Sequence, residues 1–176
     1  MEFRDSETQK LLRDTVRSYL ADKYPVERLY ALERGDAQFT NADLREFADL
    51  GWLGLLVPES AGGADLSLLE AAVVIEEFGY AAVPAPVTYA SIAADLLAHA
   101  PSGAGVRDHL TSLGSGASLY TISEATRRRG CLAYWGGPPS PPLSASGGKL
   151  KGTLPRVPFA DVADFVLAPL SVDGEP

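Results

Sequence analysis

The hydrophobic pattern of this 176-residue chain changes its period near Pro101, and that change constrains the fold more than any other feature. Before it, apolar residues recur at helical spacing, as Leu12, Val16 and Leu20 do. After it, Gly and Pro turns separate short β-type runs at 119–122, 132–135, 150–154 and 165–170. Helices followed by strands predict an α+β chain with two domains: an all-α helical bundle over residues 1–113 and a partial antiparallel β-domain over residues 114–176.

Capping residues mark the starts of several predicted helices. Ser6 with Gln9, and Ser67 with Glu70, have the spacing of a capping box, in which each side chain bonds to the backbone N–H of the other residue. Thr40 or Asn41 can cap a third helix. A further helix is predicted to start at Pro25 and to end near Gly35.

Two helices have strongly apolar sequences. The helix predicted from Leu68 to Tyr80, with Gly79 as its C-terminal stop, has an unbroken apolar run at 71–75. The next, from about Val87 to Ala100, carries only Asp95 as a charge. Both are therefore predicted to be covered on most sides.

The charge pattern excludes several classes of partner. The net charge is −8, and no Lys or Arg lies between Arg45 and Arg107, where eight acids fall: Glu46, Asp49, Glu59, Asp65, Glu70, Glu76, Glu77 and Asp95. This acidity argues against nucleic-acid binding.

No apolar run reaches the roughly 18 residues of a membrane span. The N-terminus does not resemble a signal peptide, and the single cysteine indicates a cytoplasmic protein.

Few residues outside the motifs have a pattern that predicts chemistry. His99 and His109 have no Cys, Asp or Glu at ligand spacing, so no metal site is predicted. Cys131 is interpreted as a small buried hydrophobe. The adjacent carboxylates Glu76 and Glu77 are interpreted as surface residues, and no residue is assigned as a catalytic base.

Three ordered motifs within about thirty residues resemble the acyl-CoA dehydrogenase family. They are the run Leu50-Gly51-Trp52-Leu53-Gly54 with Pro58-Glu59, the pair Gly62-Gly63, and the helix end Glu76-Glu77-Phe78-Gly79. The C-terminal part resembles the middle β-domain of the family at 148–152 and 160–169. The resemblance implies a flavoenzyme of lipid metabolism that removes two hydrogens across Cα–Cβ of an acyl-CoA thioester. The resemblance also implies that FAD accepts the hydride and that an electron-transfer flavoprotein is a partner.

The first flavin segment of the family is matched by 120–125. The resemblance implies that Tyr120 packs beside the isoalloxazine ring and that Ile122 and Ser123 hydrogen-bond to its pyrimidine edge. The alternative is an ordinary strand with alternating faces. The family also lines its acyl pocket with the helix matched by 87–97, but an apolar helix gives no register for naming a residue.

Departures from the family pattern favour a component that needs another chain. The loop after the flavin segment has Arg127, Arg128 and Arg129 in place of Gly-Ser-Asp, and Arg156-Val157-Pro158 replaces Trp-x-Thr. The catalytic glutamate of the family lies in a C-terminal helical domain that this sequence does not match. We therefore expect the chain to be inactive alone and to form a homo- or hetero-oligomer with a complete acyl-CoA dehydrogenase chain. The alternative is a non-catalytic partner subunit of a heteromeric acyl-CoA dehydrogenase.

Overall fold

The computed structural model describes residues 5–101, 103, 105–123, 143–154, 157–168 and 170–172. Contacts divide the chain into two compact units, Met1–Ser118 and Leu119–Pro176. The predicted strand at 132–135, the three arginines and Cys131 lie outside the described residues, as does Arg156. No helix in the described part is long and apolar enough to cross a membrane.

The first unit is helical. Its helices are α1 (Glu7–Lys23), α2 (Val26–Arg34), α3 (Asn41–Asp49), α4 (Leu68–Tyr80), α5 (Val87–Ala98) and α6 (Val106–Gly114). The predicted capping boxes at Ser6 and Ser67 are both formed, and Thr40 caps α3 by the same arrangement with Asp43. Gly35, at φ +77°, ends α2 in the left-handed conformation that glycine adopts without strain.

An aromatic cluster forms the centre of this unit. Trp52 is buried among rings of α1 and α4, with edge-to-face contacts to Tyr19 at 5.1 Å and Phe78 at 5.6 Å between centroids. Phe47 of α3 packs against the same indole at 5.8 Å. Such pairs add about 0.5–1.5 kcal/mol each to the stabilisation from area burial.

The segment between α3 and α4 is a compact loop. Ala64 N–H donates to Gly54 O at 3.0 Å and Leu66 N–H donates to Leu55 O at 2.8 Å, which closes residues 54–66 on themselves. A Cβ on Gly63 would lie 2.0 Å from the carbonyl oxygen of Val57, so this position requires glycine. Two side chains of α6, from Arg107 and Thr111, donate to carbonyl oxygens of the loop at 2.6 and 3.1 Å.

The second unit contains two small sheets. Its strands are β1 (Tyr120–Ile122), β2 (Leu143–Ser146), β3 (Lys149–Lys151), β4 (Phe165–Leu167) and β5 (Leu170–Val172). β1 pairs with β4, and a second sheet has the order β3-β2-β5. The α+β class, with a helical N-terminal part, is confirmed.

Strand direction differs from the expected antiparallel arrangement at two of the three described pairings. β2 and β3 are antiparallel, because Gly147 and Gly148 with positive φ form a tight hairpin turn. β1 with β4, and β2 with β5, are parallel. The members of each parallel pair are far apart in the sequence, which leaves enough chain for a crossover connection.

Candidate functional site

The three residues predicted to contact a cofactor, Tyr120, Ile122 and Ser123, lie on β1 and directly after it. Phe165 N–H donates to Leu119 O at 3.1 Å, and Ser123 N–H donates to Leu167 O at 2.8 Å. Alternate residues of a parallel strand bond to the same neighbour. The backbone groups of Tyr120 and Ile122 therefore point to the edge of β1 opposite β4.

Most side chains of β1 are buried within the second compact unit. The Tyr120 ring is buried and stacks on Phe165, with centroids 4.8 Å apart and an interplanar angle of 17°. Ser123 is fully buried, whereas Ile122 is partly exposed. Of the two residues predicted to hydrogen-bond to the flavin, Ile122 and Ser123, Ile122 is the one whose backbone points away from the β1–β4 ladder.

The turn before β4 is fixed to β1. The hydroxyl of Thr121 donates to Pro158 O at 2.7 Å, and Leu119 N–H donates to the Asp164 carboxylate at 2.8 Å. Phe159 adopts φ +56°, a left-handed conformation that is strained for a bulky residue. Proline has no N–H, so Pro158 cannot donate to a ligand, and its carbonyl already accepts the Thr121 bond.

These contacts decide how well the described residues fit a flavin. An isoalloxazine ring needs hydrogen-bond partners along its pyrimidine edge and at N5. The backbone of Ile122 is oriented for such a bond, but Ser123 N–H is used in the ladder and Pro158 cannot donate. The described residues thus fit part of a flavin site. The assignment of Tyr120, Ile122 and Ser123 to FAD stays a prediction.

The structure shows which residues of α5 are buried and which are exposed, and the apolar sequence alone did not indicate this. Val87, Ala90 and Leu97 are on its buried side. Ile92 and Leu96 point outward, with 39% and 50% of their surface exposed. This outer face is apolar apart from Asp95, which lies near His99 at the end of the helix. The helix is therefore less covered than predicted, and its uncovered side is a candidate apolar binding wall.

Sequence reasoning also missed the burial of Glu77. Glu77 is 1% exposed, whereas the neighbouring Glu76 side chain is 65% exposed, so the surface interpretation holds only for Glu76. Arg13 and Arg17 of α1 donate to the Glu77 carboxylate at 2.6 to 2.9 Å. Burial raises the pKa of Glu77, but the bonds from Arg17 and Arg13 outweigh it and lower the pKa overall. The i, i+4 spacing of the two arginines was the available signal.

Comparison with known proteins identifies relatives of the helical unit. Residues 6–116 match the family model described as "Acyl-CoA dehydrogenase, N-terminal domain". The chain is 31% identical over 118 residues to acyl-CoA dehydrogenase IpdE2 of Mycolicibacterium smegmatis. That match covers 66% of this chain and 37% of IpdE2, so the chain spans little more than a third of the relative's length.

Solved structures similar to the chain include heteromeric assemblies. The ChsE4-ChsE5 complex from Mycobacterium tuberculosis matches with a TM-score of 0.78 and 25% identity, over 99% of this chain and 47% of that chain. A variant of the Tcur3481-Tcur3483 steroid ACAD matches with a TM-score of 0.73 and 29% identity, over 93% of this chain and 45% of that chain.

Proposed function

Because the chain belongs to the acyl-CoA dehydrogenase family, we propose that it is one component of a heteromeric acyl-CoA dehydrogenase. In this proposal the chain forms one wall of the acyl-CoA site. A second, complete dehydrogenase chain supplies the catalytic base and most of the flavin site. The assembly would remove two hydrogens across Cα–Cβ of the thioester: the base would take the α proton, FAD would supply the hydride acceptor, and an electron-transfer flavoprotein would take the electrons from the flavin.

The outer face of α5 carries this proposal. Ile92 and Leu96 lie one helical turn apart on the same side, with no Lys or Arg in the helix. Burying apolar surface against a hydrocarbon stabilises a complex by roughly 25 cal/mol per Å². The corresponding helix lines the acyl pocket in the family, and this supports the acyl group as the ligand of the exposed face.

The names of the relatives suggest the kind of acyl group. A structural relative at 29% identity is described as a steroid ACAD. The exposed side chains of Ile92 and Leu96 can contact a rigid hydrocarbon, for which shape and apolar area determine binding. We therefore propose an acyl-CoA whose acyl group is a steroid or a part of one.

The base is assigned to the second chain because the buried carboxylates described here are already bonded. Glu77 is held by Arg13 and Arg17. Asp43 is held by Arg28, with Nη2 to Oδ1 at 2.5 Å, and by Thr40 and Tyr24. A carboxylate that accepts several charge-assisted bonds has a weakened affinity for protons, so it is a poor general base.

The visible spectrum and an activity assay test whether the second chain supplies the catalytic base and most of the flavin site. We expect the purified 176-residue chain to be colourless and to show no turnover with acyl-CoAs and an artificial electron acceptor. Co-expressed with the second chain, it is expected to elute in a yellow complex that oxidises steroid acyl-CoAs. Robust turnover by the chain alone would refute the proposal.

Substitutions on α5 test the binding wall. Ile92→Asp and Leu96→Asp are each expected to raise the acyl-CoA Kd of the complex about tenfold or more, because a carboxylate replaces apolar contact area. Val26→Asp on α2 is the matched control, since Val26 is a similarly exposed apolar residue. Equal affinities for all three variants would remove α5 from the site.

A flavin-binding component is the second candidate function. The observation that favours it is the backbone of Ile122, which faces the edge of β1 opposite β4. If FAD binds here without a partner, the isolated chain is yellow, and titration with FAD quenches the flavin fluorescence.

A further inference from the structure

The outer face of α4 is unusually apolar for an exposed helix surface. Leu68, Leu69 and Tyr80 are 69%, 68% and 78% exposed. Their helical spacing places them on one side with three other exposed residues, Ala72, Glu76 and Gly79. The opposite side is buried against the core and α1. The proposed acyl-CoA wall on α5 does not use this face.

No neighbouring atom in the described part of the chain requires glycine at position 79. The helix α4 ends at Tyr80, as predicted, but Gly79 itself is helical, and the left-handed residue after the helix is Ala82, at φ +54°. A Cβ on Gly79 would meet nothing within 4 Å. Glycine in a helix costs roughly 0.5–1 kcal/mol relative to alanine. Because glycine has no side chain, another chain can approach the backbone of α4 closely at this position.

The surroundings of this face are negatively charged. Asp5, Glu70 and Glu76 place three carboxylates beside this face, whereas Arg13 is bonded to Asp5 and Glu76, and Arg17 lies over the Tyr80 ring at 5.1 Å. No Lys or Arg occurs between Arg45 and Arg107, so neither α4 nor the segments next to it in the sequence contribute a positive charge. A surface with this charge attracts a partner with Lys or Arg beside its apolar contact.

We propose that the outer face of α4 is a subunit interface, and that its occupant is an apolar helix flanked by Lys or Arg on the second dehydrogenase chain. This inference rests on the proposed heteromeric function. A bulky side chain of that helix lies over Gly79, between Tyr80 and Ala72. The leucines at the start of α4 extend the contact, and basic residues face Glu76.

The experiment uses the co-expressed complex of the two chains and measures the Kd of subunit association. Gly79→Leu is expected to raise that Kd about tenfold or more, because it fills the point of closest approach. Leu68→Ser combined with Leu69→Ser is expected to act in the same direction. Raising the NaCl concentration from about 50 to about 500 mM is expected to weaken the complex further.

Two controls separate docking from folding. Leu11→Ser changes an equally exposed leucine on α1, 69% exposed, and is expected to leave the Kd within about twofold. Gly79→Ala is expected to raise the Tm of the isolated chain while it weakens the complex. These opposite signs are not expected of a residue that acts only in folding.

Three outcomes would overturn the inference. If no dehydrogenase chain co-purifies, the proposed function and this interface both fail. If a complex forms and binds acyl-CoA but Gly79→Leu leaves its Kd unchanged, the interface alone fails. If the isolated chain dimerises and Gly79→Leu dissociates the dimer, the occupant is a second copy of this chain and not a different subunit.

Discussion

Two adjacent glutamates differ in burial because their surroundings in the fold differ. Glu76 and Glu77 are adjacent in the sequence, but only Glu77 is buried and held by two arginines. The sequence predicts a helix through both, yet two neighbouring carboxylates differ in helical phase by 100°, and only the packing against α1 fixes which one is inside. Burial at this position could therefore be found only once the α1–α4 contact was known.

We predict different costs for neutralising these two carboxylates. Glu77→Gln is expected to lower the free energy of unfolding by about 2 kcal/mol, because it leaves Arg13 and Arg17 without their buried partner; half-exposed Arg17 keeps the loss below that of a fully buried pair. Glu76→Gln is expected to cost about 0.5 kcal/mol or less. Urea unfolding at pH 7 measures both, and equal costs would contradict this assignment.

The same contact predicts a pH dependence. The pKa of Glu77 is lowered in the folded chain, so the carboxylate stabilises the fold at neutral pH. That contribution is lost as the pH falls below the ordinary glutamate range and through the lowered pKa. The stability difference between the wild-type chain and Glu77→Gln should therefore shrink on acidification.

The sequence could predict where helices form, but it could not predict which of their faces are exposed. Capping residues and apolar periodicity predicted the starts of α1, α2 and α4 and the ends of α2 and α4 closely, because both signals are local. The apolar sequences of α4 and α5 predicted coverage on most sides, yet Leu68, Leu69, Ile92 and Leu96 are exposed. Composition counts apolar residues but does not show what covers them. For the same reason, parallel pairing of β1 with β4 had no local signal.

The loop at 54–66 supports a prediction at this scale. Gly63→Ala is expected to destabilise the helical unit by about 2 kcal/mol or more, because its Cβ would overlap the carbonyl of Val57, which is backbone and cannot move aside. Gly79→Ala, whose Cβ meets nothing, is the matched control. Thermal unfolding followed by circular dichroism compares the two; a Gly63→Ala variant as stable as the control would contradict the close approach.

For the whole molecule, the apolar core predicts that the helical unit folds independently. Every member of the main core cluster lies between Val16 and Ala90. We expect a chain of residues 1–118 to unfold cooperatively with heat and to keep the helical circular dichroism of this part. A broad, non-cooperative transition would show that residues after 118 are needed for its stability.

The environment of Trp52 has a spectroscopic consequence. The chain has two tryptophans, and Trp135 lies outside the described residues. In a Trp135→Phe variant, all indole emission comes from Trp52, which is buried among Tyr19, Phe47 and Phe78. Its fluorescence is blue-shifted while the helices are packed and moves to longer wavelength when water reaches the ring. The helical unit therefore has an intrinsic optical probe, which reports on its folding in the isolated chain.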